Sequence, residues 1–131
     1  MPLQLLKAGA TFRVYAWGDE KSCEAVEFLE ELEADSNSDA IRLLNLIQRT
    51  ADHGPPMNPQ HSRLLDDGIY EFKAPNTARL LWFYDESRII ICTHGFSGKR
   101  GSGKTPRKEI DRAREIRKEY VKEKTNAPIT W

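Results

Sequence analysis

The sequence predicts an α+β fold: a small antiparallel β-sheet packed against helices, in the order β-α-α-β-β-β-α. Three observations lead there. Between residues 19 and 54 apolar side chains recur every three or four positions, the helical period. Between residues 69 and 96 they run in short β-branched and aromatic stretches separated by turn residues. After Pro106 the helical period returns. A helix pair followed by a meander buries its apolar stripe on one face of the sheet, which is the α+β solution. The 131 residues fit a single domain, here residues 1–124, with 125–131 expected as a flexible C-terminal tail.

Each element has its own signal. Residues 11–17 alternate Phe12, Val14 and Ala16 with polar or amphipathic neighbours, a first strand. Its place in the sheet, edge or interior, is left open by the pattern. A helix follows to about Ala34, with Ala25, Val26, Leu29 and Leu32 inward and Asp19 or Ser22 as its cap. A second starts near Ser38 or Asp39, turns Ile41, Leu44, Ile47 and Ala51 inward, and stops at Gly54 before Pro55-Pro56. Three strands then form an antiparallel meander: residues 69–73 after Asp66-Asp67-Gly68, 77–84 after Pro75-Asn76, and 88–96 after Asp85-Glu86-Ser87. The glycine- and lysine-rich residues 95–104 read as a loop. Thr105 is expected to cap the last helix, with Pro106 in its first turn and Ile110, Ala113, Ile116, Tyr120 and Val121 as its apolar stripe.

Composition excludes several classes. No apolar run approaches the roughly 20 residues of a membrane span. No secretory leader is visible at the N-terminus, so a cytoplasmic location is expected. Cys23 and Cys92 form no C-x-x-C pair, and His53 and His61 flank a proline-rich loop with no further ligand at metal spacing. Neither a disulfide framework nor a metal site is indicated, and the expectation is no cofactor. The formal net charge of zero hides a split: residues 1–93 carry nine basic and fifteen acidic side chains, residues 94–131 eleven and five. Nine of the carboxylates fall in residues 19–39. Such asymmetry bears on partners and fields, and a basic C-terminal third suits a polyanion.

The residues from the meander onward carry a resemblance. Gly68-Ile-Tyr-Glu-Phe-Lys73, then Ala78-Arg79-Leu-Leu-Trp-Phe-Tyr84, then Ile89-Ile-Ile-Cys-Thr-His-Gly-Phe96, then Lys99-Arg100 and the run from Lys104 to Ala113 resemble the HigB-like, phage-derived branch of the RelE superfamily of type II toxins. The likeness covers about residues 60 to 121. It implies a RelE-like α+β fold, metal-independent cleavage of messenger RNA, typically on the translating ribosome, and neutralisation by a helix-turn-helix antitoxin. It places the cleavage residues at Arg79, Lys99 and Arg100, with Lys73 as a weaker transfer.

The chemistry points to the same residue types. Metal-free RNA cleavage uses the neighbouring 2′-hydroxyl as nucleophile, so the protein moves protons and stabilises charge on the phosphorus centre. Arginine presents a planar fork of donors to phosphate and keeps its charge, which suits Arg79, Arg100 and Arg63. Lys73 and Lys99 can transfer protons where clustered charge or burial lowers their pKa, and His94 titrates near neutrality without tuning. Lys104, Arg107 and Lys108 are candidates for RNA backbone contacts. Each has a plain alternative. Arg79 could pair with Glu71 on the adjacent strand, His94 could be a hydrogen-bonded core imidazole, and the loop lysines could serve solubility alone. The string Gly98-Lys-Arg-Gly-Ser-Gly-Lys-Thr105 matches the nucleotide-binding loop consensus. It lacks the parallel βαβ architecture and acidic strand end of that motif, so nucleotide binding is disfavoured. The competing functional expectations are a noncatalytic RNA- or ribosome-binding module and an antitoxin-binding regulatory scaffold. The oligomeric state is not legible.

Overall fold

The computed structural model describes residues 1–86, 88–98, 103–129 and 131. Lys99 and Arg100, two of the expected site residues, lie outside the described residues. The element order is β1 (Leu3–Ala8), β2 (Arg13–Trp17), α1 (Glu24–Ala34), α2 (Ser38–His53), β3 (Ser62–Asp66), β4 (Ile69–Lys73), β5 (Ala78–Asp85), β6 (Ile89–Ser97) and α3 (Arg107–Asn126). The α+β class holds. Six strands form one sheet in the order β1-β2-β6-β5-β4-β3.

Two features correct the expected layout. Strands β1 and β3 are additions at the two edges. Asp67 and Gly68 take φ of 49° and 74°, the positive values at both central positions that a two-residue hairpin turn needs. The turn therefore joins β3 to β4. The sheet is also mixed, because β2 runs parallel to β6, with Arg13 opposite Ile89 and Ala16 opposite Cys92. The meander β4-β5-β6 is antiparallel as expected.

Helices cover both faces. α1 and α2 pack with Val14, Ala16, Phe72, Leu80, Trp82 and Ile90 on one side, while α3 closes over Ile69, Leu81, Phe83, Ile89 and Ile91 on the other. Central strand β5 is thus buried from Ala78 to Phe83. Double coverage is why its sequence is a continuous apolar run instead of an alternating one. In such a strand Arg79 stands out.

Several local expectations shift. The N-cap of α1 is Cys23, without a side-chain cap bond; Asp19 instead accepts from the backbone N–H groups of Lys21 and Ser22, turning the chain ahead of the helix. The N-cap of α2 is Asn37, whose side chain accepts from the Asp39 N–H at 2.9 Å. Its buried stripe is Ala40, Leu43, Ile47, Thr50 and Ala51. Ile41 and Leu44 face outward, one position around the helix from the expected stripe. Pro106, not Thr105, is the N-cap of α3. Ile110, Ala113, Ile116 and Tyr120 are buried there, and Val121 is exposed. Helix α3 continues through Asn126, and the Trp131 ring lies 5.2 Å from Tyr15. No helix among the described residues is long and apolar enough to cross a membrane.

Candidate functional site

Strand registry assembles the site. Lys73, Arg79 and Phe96 form one row across β4, β5 and β6, and Arg63, Glu71, Leu81 and His94 form the next. Both rows point to the α3 face, since residues two apart on a strand share a face. They lie near the start of α3, where His94 meets Glu109 of its first turn.

Arg79 is 9% exposed, a charge inside a double-covered sheet. Its Nη1 donates to the carbonyls of Ala74 at 3.1 Å and Ala78 at 2.9 Å, which holds the guanidinium at the β4–β5 turn. The pairing with Glu71 does not form. Glu71, fully buried, accepts from Arg63 Nε at 2.6 Å and from the Thr105 hydroxyl. Among the described residues Arg79 has no carboxylate within ion-pair distance. A buried charge so placed calls for a ligand or water.

Arg79 lines two cavities. One, of about 300 Å³, is bounded by Arg79, Phe96, Ser97, Gly98, Lys104, Thr105, Pro106, Lys108 and Glu109. Gly98 and Lys104, both on its wall, flank in sequence the segment that contains Lys99 and Arg100. The other, of about 730 Å³, opens towards α2 and is lined by Arg42, Arg49, His61, Lys73 and Arg79. Lys73 is half-buried. Burial first, then the neighbouring Arg63 and Arg79, hold its ammonium pKa below the usual lysine value.

Other expected residues are placed elsewhere. His94 is buried and lines neither cavity. Its Nε2 faces Glu109 Oε1 at 3.3 Å and its Nδ1 faces the Thr93 hydroxyl at 3.1 Å. A carboxylate opposite Nε2 favours a proton there, while the Thr93 hydroxyl beside Nδ1 donates to the Leu81 carbonyl at 3.3 Å. Burial lowers the imidazole pKa, opposed by Glu109. Arg63 ties edge strand β3 to Glu71 and donates to the Gly103 carbonyl. Arg107 is turned to Asp66 and Asp111 and lines neither cavity. The Thr105 hydroxyl, spent on Glu71, is unlike that of a nucleotide-binding loop, which ligates magnesium.

The C-terminal basic excess is largely answered within the fold. Arg112 pairs with Glu24 of the acidic α1 at 2.7 Å, Arg114 and Arg117 with Asp67, and Lys124 with Asp85 and Glu86. The arginines and lysine that line the larger cavity come instead from α2, β4 and β5, while Lys104 and Lys108 of the basic third line the smaller one. Arg42 and Arg49 were not singled out from sequence; their seven-residue spacing, two turns on one helix face, was the available signal. Among the described residues no group of three or more His, Cys, Asp and Glu could hold a metal ion. Cys23 and Cys92 are buried free thiols whose pKa values burial raises.

A family model described as Phage derived protein Gp49-like (DUF891) matches residues 27–118. This span runs from α1 to α3 and contains Arg79 and both cavities. No curated protein matches the chain.

Proposed function

Since the chain belongs to the phage-derived Gp49-like family, a RelE-like toxin family, we propose that it is the toxin component of a type II toxin–antitoxin system and cleaves messenger RNA on the ribosome. The observation that carries this reading is Arg79: a buried guanidinium with no carboxylate partner among the described residues, lining two cavities. In the proposed reaction the RNA 2′-oxygen attacks the adjacent phosphorus and gives up its proton to solvent water, the bond to the 5′-oxygen breaks, and that oxygen takes a proton. The products are a 2′,3′-cyclic phosphate and a 5′-hydroxyl. The RNA supplies its own nucleophile, so the scheme includes no covalent enzyme intermediate.

Arg79 stabilises the charge that builds on the phosphorane oxygens, and Lys104 and Lys108 border the same cavity. Lys73, with its lowered pKa, is suited to protonate the leaving oxygen, because clustered positive charge eases proton release. Lys99 and Arg100 complete the charge set in this scheme. His94 positions the start of α3 through Glu109. A helix-turn-helix antitoxin is the proposed neutralising partner, and the cytoplasm the proposed compartment.

The test is induced expression in a bacterial host with primer extension on a reporter messenger. Growth arrest and discrete new 5′ ends, both relieved by Arg79→Ala and by Arg100→Ala with the folded protein still present, support the reading. Salt-sensitive RNA binding without cut ends would instead identify a noncatalytic ribosome-binding module. A tight complex with a neighbouring-gene product and no effect on RNA would identify a regulatory scaffold.

A further inference from the structure

The larger cavity is not needed to hold a single phosphate at Arg79, and its lining has a character of its own. Arg42 and Arg49 project from α2 about 10 Å apart along the helix axis. His61 and Lys73 line the same cavity, and Arg79 lines both this cavity and the smaller one. Among the described residues no aspartate or glutamate lines it. Asn45 and Gln60 add amide donors and acceptors, and Leu46, Ala74 and Pro75 add apolar wall. Cations repeated along a groove, interleaved with amides and flat apolar surface, match a backbone of regularly spaced phosphates carrying unpaired bases.

We infer that this groove binds single-stranded RNA, seating nucleotides that flank the phosphate at Arg79. The inference rests on the reading of Arg79 as a phosphate-binding group. It assigns α2 a substrate-holding face, with Arg42 and Arg49 each meeting one flanking phosphate.

The test uses the full chain and 2′-O-methyl RNA, which lacks the nucleophile and stays intact. Fluorescence anisotropy is read for a dinucleotide and an octanucleotide across about 50 to 200 mM salt. The double variant Arg42→Gln/Arg49→Gln is expected to weaken octanucleotide binding about tenfold or more, and dinucleotide binding less. It should lower the log–log salt slope by about 1.4, from two lost contacts at about 0.7 each on a single strand. Arg114→Gln removes an ion-paired charge on α3 and should leave the slope at its wild-type value. Arg42→Lys/Arg49→Lys should keep most of the slope. Both arginines are exposed, so an unchanged melting midpoint establishes that the fold is intact. An octanucleotide slope that does not move in the double variant overturns the inference, even where wild-type protein cuts RNA. So does a variant that binds RNA normally and loses only its complex with the neighbouring-gene product, which would make the groove a protein seat. A wild-type chain that cuts nothing, yet shows the expected slope change, refutes the ribonuclease reading and leaves the groove in place.

Discussion

Asp39, in the first turn of α2, accepts the backbone N–H of Ala78 at 3.0 Å, one residue before Arg79. The same carboxylate takes the N–H groups of Thr77 at 3.0 Å and Asn76 at 3.3 Å. A buried acid thus pins the β4–β5 turn to α2, the two walls of the larger cavity. Asp39→Ala leaves three backbone donors without an acceptor and is expected to destabilise the fold by about 2–4 kcal/mol, given roughly 1.5–3 for a hydrogen bond to a charged group. Asp39→Asn keeps an acceptor oxygen and should lose less. Urea unfolding midpoints at constant m-value measure both, and equal losses would contradict the anchoring role.

Arg79→Ala is expected to slow cleavage about 10²–10³-fold, the effect of losing one preorganised donor to a developing oxyanion. Arg79→Lys keeps the charge without the fork and should recover only part of the rate. Single-turnover cleavage of a synthetic RNA reads both. A rate left unchanged by Arg79→Ala would remove this side chain from the chemistry.

The Arg63–Glu71 pair is asymmetric: Glu71 is fully buried, while the Arg63 side chain is 29% exposed. Arg63→Met therefore strands a buried carboxylate and should destabilise by about 3 kcal/mol, towards the lower end for breaking such a pair. Glu71→Gln leaves an arginine able to turn to water and should do less harm. The double variant should be more stable than Arg63→Met alone, a coupling that a thermodynamic cycle would expose.

Burial lowers the His94 pKa from 6.5 despite the opposing Glu109. The unfolded chain then takes up a proton on this ring at a higher pH than the folded one. Unfolding is favoured as pH falls below about 6.5, and the effect grows until the folded-state pKa is reached. Melting midpoints at pH 7 and about 5.5 should converge in His94→Gln relative to wild type. Parallel shifts in the two proteins would exclude His94 as the source.

Gly95 faces α1, where an added Cβ would lie 2.1 Å from the Phe28 ring. Gly95→Ala should destabilise by about 1–3 kcal/mol through overpacking. Adding Phe28→Ala should restore part of the loss, and calorimetry of the single and double variants decides whether the ring is the cause.

The three meander strands, the three helices and Arg79 as the one cation in an apolar run were legible in the sequence, because period and turn chemistry are local. Edge strands β1 and β3 were not. Each is short, is half exposed and gains its identity from a partner, although Asp67-Gly68 signalled a hairpin whose first arm went unread. The one-residue rotation of α2, which leaves Ile41 and Leu44 outside, was set by which residues the sheet could accept. Tertiary structure alone decided that Glu71 binds Arg63 and Thr105, that Arg79 keeps only carbonyl partners among the described residues, and that Arg42 and Arg49 line one cavity with Lys73. Arg42 and Lys73, 31 positions apart, come to line one cavity only after the parallel β2–β6 pairing and the Asp39 anchor fold α2 against the turn. Pairing of this kind depends on competition among all available partners in space, and no spacing along the chain records its outcome.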